Sequence, residues 1–180
     1  MNVLQYAHNI YEAESYKNPL IKSHKNIIYI SAALHDMCDK KYMNESDGIK
    51  AITDHLILIT TPIENEIISK IIQTMSYSKV KKDGFPELGV YQTAYHIVRE
   101  ADLLSAYDFD RCIIYDMKVN EHTFADAYDH AESLFQHRVF KHAEDNLFTT
   151  EYATRHYPSL HNQSLQQINT WKEILGKDIK

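Results

Sequence analysis

An all-α fold is what the sequence predicts, and three observations carry the prediction. Only 4 Gly and 4 Pro occur in 180 residues, so the residues that punctuate strand-rich folds are scarce. Apolar residues recur at three- and four-residue steps through long stretches, and no convincing alternating strand stands beside them. At this length the chain fits a single domain, residues 1–180, able to bury a core without staples.

The elements follow in order. Val3, Ala7, Ile10 and Glu14 set one stripe over residues 2–15, and Asn18-Pro19 then ends the first helix. Ser23 is placed to cap HKNIIYISAALHD, whose Ile27, Ile28, Ile30, Ala33 and Leu34 leave little polar surface and predict a central, buried helix. Ser46 or Asp47 can cap GIKAITDHLILIT, and Pro62 sits in the first turn of IENEIISKIIQTM, where a missing N–H costs nothing. SYSKVKKDGFPELG shows neither helical nor strand period and reads as a loop. From Val90 a long pattern predicts two helices broken near Tyr107-Asp108, residues 121–146 predict another helical stretch, and a last helix runs from about Ser159 after Pro158 to Leu175.

Charge and cysteines narrow the class. A net charge of −6 argues against a nucleic-acid polymer or an acidic membrane as partner, since both need a positive field. Cys38 and Cys112 lack CxxC spacing and read as reduced thiols. With no apolar run of about 18 residues and no secretory pattern at the N-terminus, a soluble, cytoplasmic protein with no membrane partner is expected.

Chemistry concentrates in ALHDMCDKKY, where His35 and Asp36 offer an imidazole nitrogen and a carboxylate, ligand types that suit Mn, Fe, Co or Zn. Alone, the pair fits either a metal site or a polar helix end. Asp102 adds a third group, because VREADLLSAYDFD sets it inside an apolar helical run where a carboxylate needs a cation or hydrogen-bond donors. A metal shared with His35 and Asp36 would serve, and so would Arg99 one turn away.

The pair His35-Asp36 with the distant Asp102, in the settings AALHDMCDKKY, IIQTMSYSKVKKDGFPELG and YHIVREADLLSAYDFDRC, resembles the HD-domain metal-dependent phosphohydrolases, in particular their small stand-alone members. The resemblance covers about residues 2–118. It implies a helical HD-type domain of about seven to nine helices, with residues 1–118 as the motif-bearing core and residues 119–180 as C-terminal helices packing on it. It also implies His35, Asp36 and Asp102 as ligands of a divalent ion (Mn, Co, Mg, Fe, Ni or Zn) and hydrolysis of a phosphoester or phosphoanhydride by metal-activated water, with Asp36 serving as a catalytic residue too. One departure stands out: the family's first histidine would fall before Met1, and His8, the only early histidine, lies about 100° round the helix from the Val3-Ala7-Ile10 line.

Residue type suggests the neighbours. Asp39 can orient the attacking water or support a ligating histidine, as readily as it can cap the loop. Among the nearby cations Lys41, Lys79, Lys81, Lys82 and Arg99, the pair Lys79 and Arg99 is the one expected to hold substrate phosphate. His55 and His96 lie between the motifs, where a second metal could take further ligands. His122, His130, His137, His142, His156 and His161 show no HExxH spacing and read as surface or packing residues. The expected partner is a small phosphorylated substrate, nucleotides included. The alternative function is a catalytically impaired HD-like module that binds a phosphorylated ligand or a protein.

Overall fold

The computed structural model describes residues 2–37 and 44–177. It is all-α, with no strand among the described residues. Nine helices of seven residues or more occur among them: α1 (Val3–Lys17), α2 (Lys25–Leu34), α3 (Glu45–Leu56), α4 (Pro62–Thr74), α5 (Tyr77–Asp83), α6 (Gln92–Ser105), α7 (Phe109–Val119), α8 (Phe124–Leu134) and, after the single turn α9 (Lys141–Glu144), α10 (Glu151–Ile174). The chain forms two compact units, one of Met1–Asp102 with Thr150–Tyr152 and one of Leu103–Thr149 with Ala153–Lys180.

In the first unit, α2 packs against both α1 and α4. The α1 stripe is Val3, Tyr6, Ala7, Ile10 and Tyr11, all buried, and Ile27, Ile28 and Ala32 are buried on α2, the helix it packs against. Ile68, Ile71 and Ile72 of α4 and Ile97, Val98 and Ala101 of α6 are buried in the same unit. Local chemistry sets the helix ends. The Asn2 side chain accepts from Gln5 N–H, and Asn18 both ends α1 and accepts from Leu20 N–H at 3.1 Å to start the short 3₁₀ turn Pro19–His24. Thr61 and Glu64 make a reciprocal capping box ahead of Pro62.

Four boundaries differ from the sequence expectation. Ser23 does not cap α2; its hydroxyl donates to Leu20 O at 2.7 Å, because the Pro19–His24 turn continues almost directly into the helix. α3 is capped by Asn44, which accepts from Ser46 N–H at 3.0 Å and so places Ser46 and Asp47 inside the first turn. The lysine-rich stretch is not all loop: Tyr77–Asp83 forms α5 and stops at Gly84, whose φ of 77° suits a residue without Cβ. α10 begins at Glu151, well before Ser159, and carries Pro158 inside it at the cost of one backbone hydrogen bond.

The second unit is built on aromatics. Phe109 of α7 meets Tyr128 and Phe135 edge-on, with centroids 5.6 and 5.1 Å apart, around Ile113, Ala131 and Ile168. Asp110 ties α7 to α10 by accepting from Trp171 Nε1 at 2.7 Å and from Gln167 Nε2 at 3.0 Å. Asp108 caps α7 by accepting from Arg111 N–H, so the predicted break near Tyr107-Asp108 is real.

Candidate metal centre

α2 runs out at Leu34 because the apolar run ends there, and His35 follows as its C-terminal cap residue. His35 Nδ1 lies 2.8 Å from the Ala32 carbonyl oxygen. A carbonyl only accepts, so Nδ1 carries the proton and Nε2 is the open face of the ring. Nε2 stands 3.0 Å from Asp36 Oδ2 and 3.9 Å from Asp102 Oδ1. The structure therefore brings together the three residues singled out from the sequence.

Nε2 and two carboxylate oxygens face one another, and with neutral imidazole none of them supplies a proton to the others. Their mutual approach is favourable with a positive species between them: a proton on Nε2 or a metal ion. Burial pushes the His35 imidazole down. The hydrogen bond with Asp36, the charges of Asp102 and Asp36, and the Ala32 carbonyl more than reverse this, so the ring is held above its ordinary value. An imidazole fixed through one nitrogen by a carbonyl, with the other nitrogen aimed at carboxylates, is the setting in which metal-ligating histidines are found. The donor set fits a divalent cation.

Asp102 differs from its sequence reading. It is 37% exposed at the side chain, not buried in the apolar run, because one residue's step of about 100° turns it away from Ala101 on the inward line. The buried charges of α6 are its neighbours. Arg99 and Glu100 are 1% and 0% exposed and paired at 3.0 Å, and Glu100 also accepts from Thr150 N–H at 3.0 Å and Thr150 Oγ1 at 2.7 Å. Arg99 Nε and Nη1 have no hydrogen-bond partner, and the guanidinium lies 4.7 Å over the Phe85 ring.

Arg99, expected from the sequence to meet substrate, is thus enclosed and engaged internally. Lys79 Nζ donates to Gln73 O at 2.6 Å and lines a cavity of about 320 Å³ with Gln73, Thr74, Asp83 and Phe85. None of His35, Asp36 and Asp102 lines that cavity, while Phe85, its aromatic wall, is the ring on which Arg99 stacks. Asp39, like Cys38 and Lys41, lies outside the described residues. His8 Nδ1 lies 2.6 Å from the Tyr29 hydroxyl, and His55 Nδ1 lies 2.9 Å from the Ala51 carbonyl of its own helix. His96 is lowered to about 4 by burial and then by the Arg99 charge.

Sequence reasoning missed Glu100, which is anonymous beside Asp102 in READLL. It also passed over Asp116, His122 and His130, which lie 6 and 8 residues apart in the chain yet converge in the second unit. No helical or motif spacing joins those three, so only a turn between two helices could reveal them. Comparison with known proteins adds no identity: no protein-family model, no curated protein and no solved structure matches the chain.

Proposed function

We propose that the chain is a metal-dependent phosphohydrolase acting on a phosphoester or phosphoanhydride of a small molecule, nucleotides among them. One observation supports this above the rest: His35 Nε2, locked by the Ala32 carbonyl, faces Asp36 and Asp102 at 3.0 and 3.9 Å. These three side chains would hold the cation. A divalent ion bound there supplies an acidified water and polarises a phosphoryl oxygen. The residues of the chain do the remaining work. The Ala32 carbonyl fixes the ring and its tautomer, and Asp36, the more exposed carboxylate at 63% against 37%, can take up a proton from water at the rim. Asp39, three residues along the chain from Asp36, is a second candidate for orienting the attacking water. Lys79 offers positive charge at a cavity near the lower size limit of small-ligand sites, about 300 Å³ in general, and Arg99 acts by bracing Phe85 from behind.

A second reading, a module that holds a phosphorylated ligand without turnover, is favoured by His8, which is engaged with Tyr29, so that His35, Asp36 and Asp102 face one another without it among the described residues. A screen of nucleotides and generic phosphoesters with Mn, Co, Mg and Ni separates the two. Metal-dependent phosphate release that is lost in Asp102→Ala supports hydrolysis. Binding of a phosphorylated compound with no release under any metal supports the module, and activity unchanged in Asp102→Ala removes the hydrolase reading.

A further inference from the structure

The second unit carries another group of ligand-type side chains, and the chain builds it at the corner between α7 and α8. Asp116 stands in the last turn of α7, 3% exposed. Asn120 ends the helix by donating its backbone N–H to Asp116 O at 2.9 Å, and its side-chain Nδ2 donates to Asp116 Oδ1 at 2.6 Å. Glu121 then takes a φ of 55°, a left-handed conformation uncommon for a residue with Cβ, and the chain turns back. This return sets His122 Nδ1 2.7 Å from Asp116 Oδ2. Thr123 caps α8, and two turns along it His130 Nδ1 reaches Asp116 Oδ1, also at 2.7 Å.

Two imidazole nitrogens and a carboxylate oxygen thus lie within 4.8 Å of one another. Asp116 is fixed by burial and by Asn120, while His122 and His130 are 45% and 57% exposed, so their rings can adjust by small rotations. Imidazole nitrogen with one carboxylate is a donor set that favours the later first-row ions over Mg and Ca, which take oxygen ligands.

We propose that Asp116, His122 and His130 form a binding site for a divalent transition-metal ion of the zinc class, with Asn120 as the residue that positions the carboxylate. Both Nδ1 atoms and one Asp116 oxygen are the ligand atoms, each ring binding as the neutral tautomer with its proton moved through solvent from Nδ1 to Nε2, and a fourth position is left to water. The proposal shares no residue with His35, Asp36 and Asp102 and does not rest on the phosphohydrolase reading.

The test is calorimetric titration of the full chain with Zn²⁺, paired with the visible spectrum of the Co²⁺-substituted protein. The unaltered chain is expected to bind Zn²⁺ in the micromolar range or tighter at this site and, with Co²⁺, to show the intense visible absorption of a four-coordinate ion. His122→Ala with His130→Ala, both on exposed rings, is expected to lose that equivalent and that absorption while the circular dichroism stays unchanged. Asn120→Ala is expected to weaken binding by about 10- to 100-fold, the usual consequence of removing a group that orients a ligand. Asp102→Ala is expected to leave the absorption intact. Equal Zn²⁺ stoichiometry and an equal Co²⁺ spectrum with and without His122 and His130 would overturn the proposal, as would a chain that takes up no Zn²⁺. Should the double variant lose its fold, Asp116→Asn keeps the shape of the side chain and is expected to lose the same equivalent and absorption; their retention in that variant would overturn the proposal equally.

Discussion

Arg99 and Glu100 carry opposite charges into an interior where neither meets water, and the pair persists because Glu100 collects three hydrogen bonds, from Arg99 and from the N–H and hydroxyl of Thr150. Removing one partner leaves the other charge buried and uncompensated. Glu100→Ala is therefore expected to cost about 3–5 kcal/mol in a urea-unfolding experiment, and Glu100→Leu combined with Arg99→Met to cost less than Glu100→Ala. His96 lies beside this pair, 15% exposed, with its value lowered from 6.5 to about 4. Between those two values the unfolded chain binds a proton at this ring and the folded chain does not. Its contribution to stability is thus present above pH 6.5 and is lost as pH falls toward about 4, levelling below that. After allowance for solvent screening this is about 1–2 kcal/mol. His96→Gln is expected to flatten that part of the stability profile, and an unchanged slope in the variant would count against it. In READLL the sequence displays three charges of equal standing. Which two are buried depends on the rotation of α6 against its neighbours, and that rotation is a tertiary property.

Helix ends show the same division between what is local and what is not. The Asn18-Pro19 stop of α1, the Asp108 break and the Thr61–Glu64 capping box are short-range chemistry, and the first two of these were legible from the residues alone. Thr61→Ala removes one acceptor and one half of the box, so a loss of about 1 kcal/mol in thermal or urea unfolding is expected. The start of α10 was not legible, because a proline reads most simply as marking the start of a helix, whereas here Pro158 lies inside one that begins at Glu151. α5 was hidden for a different reason: seven residues are too few for a period to appear, and Val80 is the only fully buried side chain in it. At the α7–α8 corner, Glu121 holds a φ of 55°. Glu121→Gly is expected to leave the fold unchanged and raise stability by a few tenths up to about 1 kcal/mol, measured by urea unfolding, since glycine adopts that conformation without steric cost.

For the molecule as a whole, the all-α class follows from global features, scarce glycine and proline and long runs of helical period, and such features survive errors at individual boundaries. None of the described helices is long and apolar enough to cross a membrane. The candidate centre at His35, Asp36 and Asp102 was legible because each residue belongs to a recognisable local phrase. Asp116, His122 and His130 belong to none and meet only through the fold. The central claim is that the first of these groups holds a divalent cation, and equilibrium dialysis with Mn²⁺ tests it most directly. The measurement compares His122→Ala/His130→Ala, which silences the second group, with the same chain carrying Asp102→Ala as well. One tightly held Mn²⁺ per chain in the first and none in the second, with unfolding curves otherwise alike, is the result predicted here. Equal Mn²⁺ retention in both, or none in either, would contradict it.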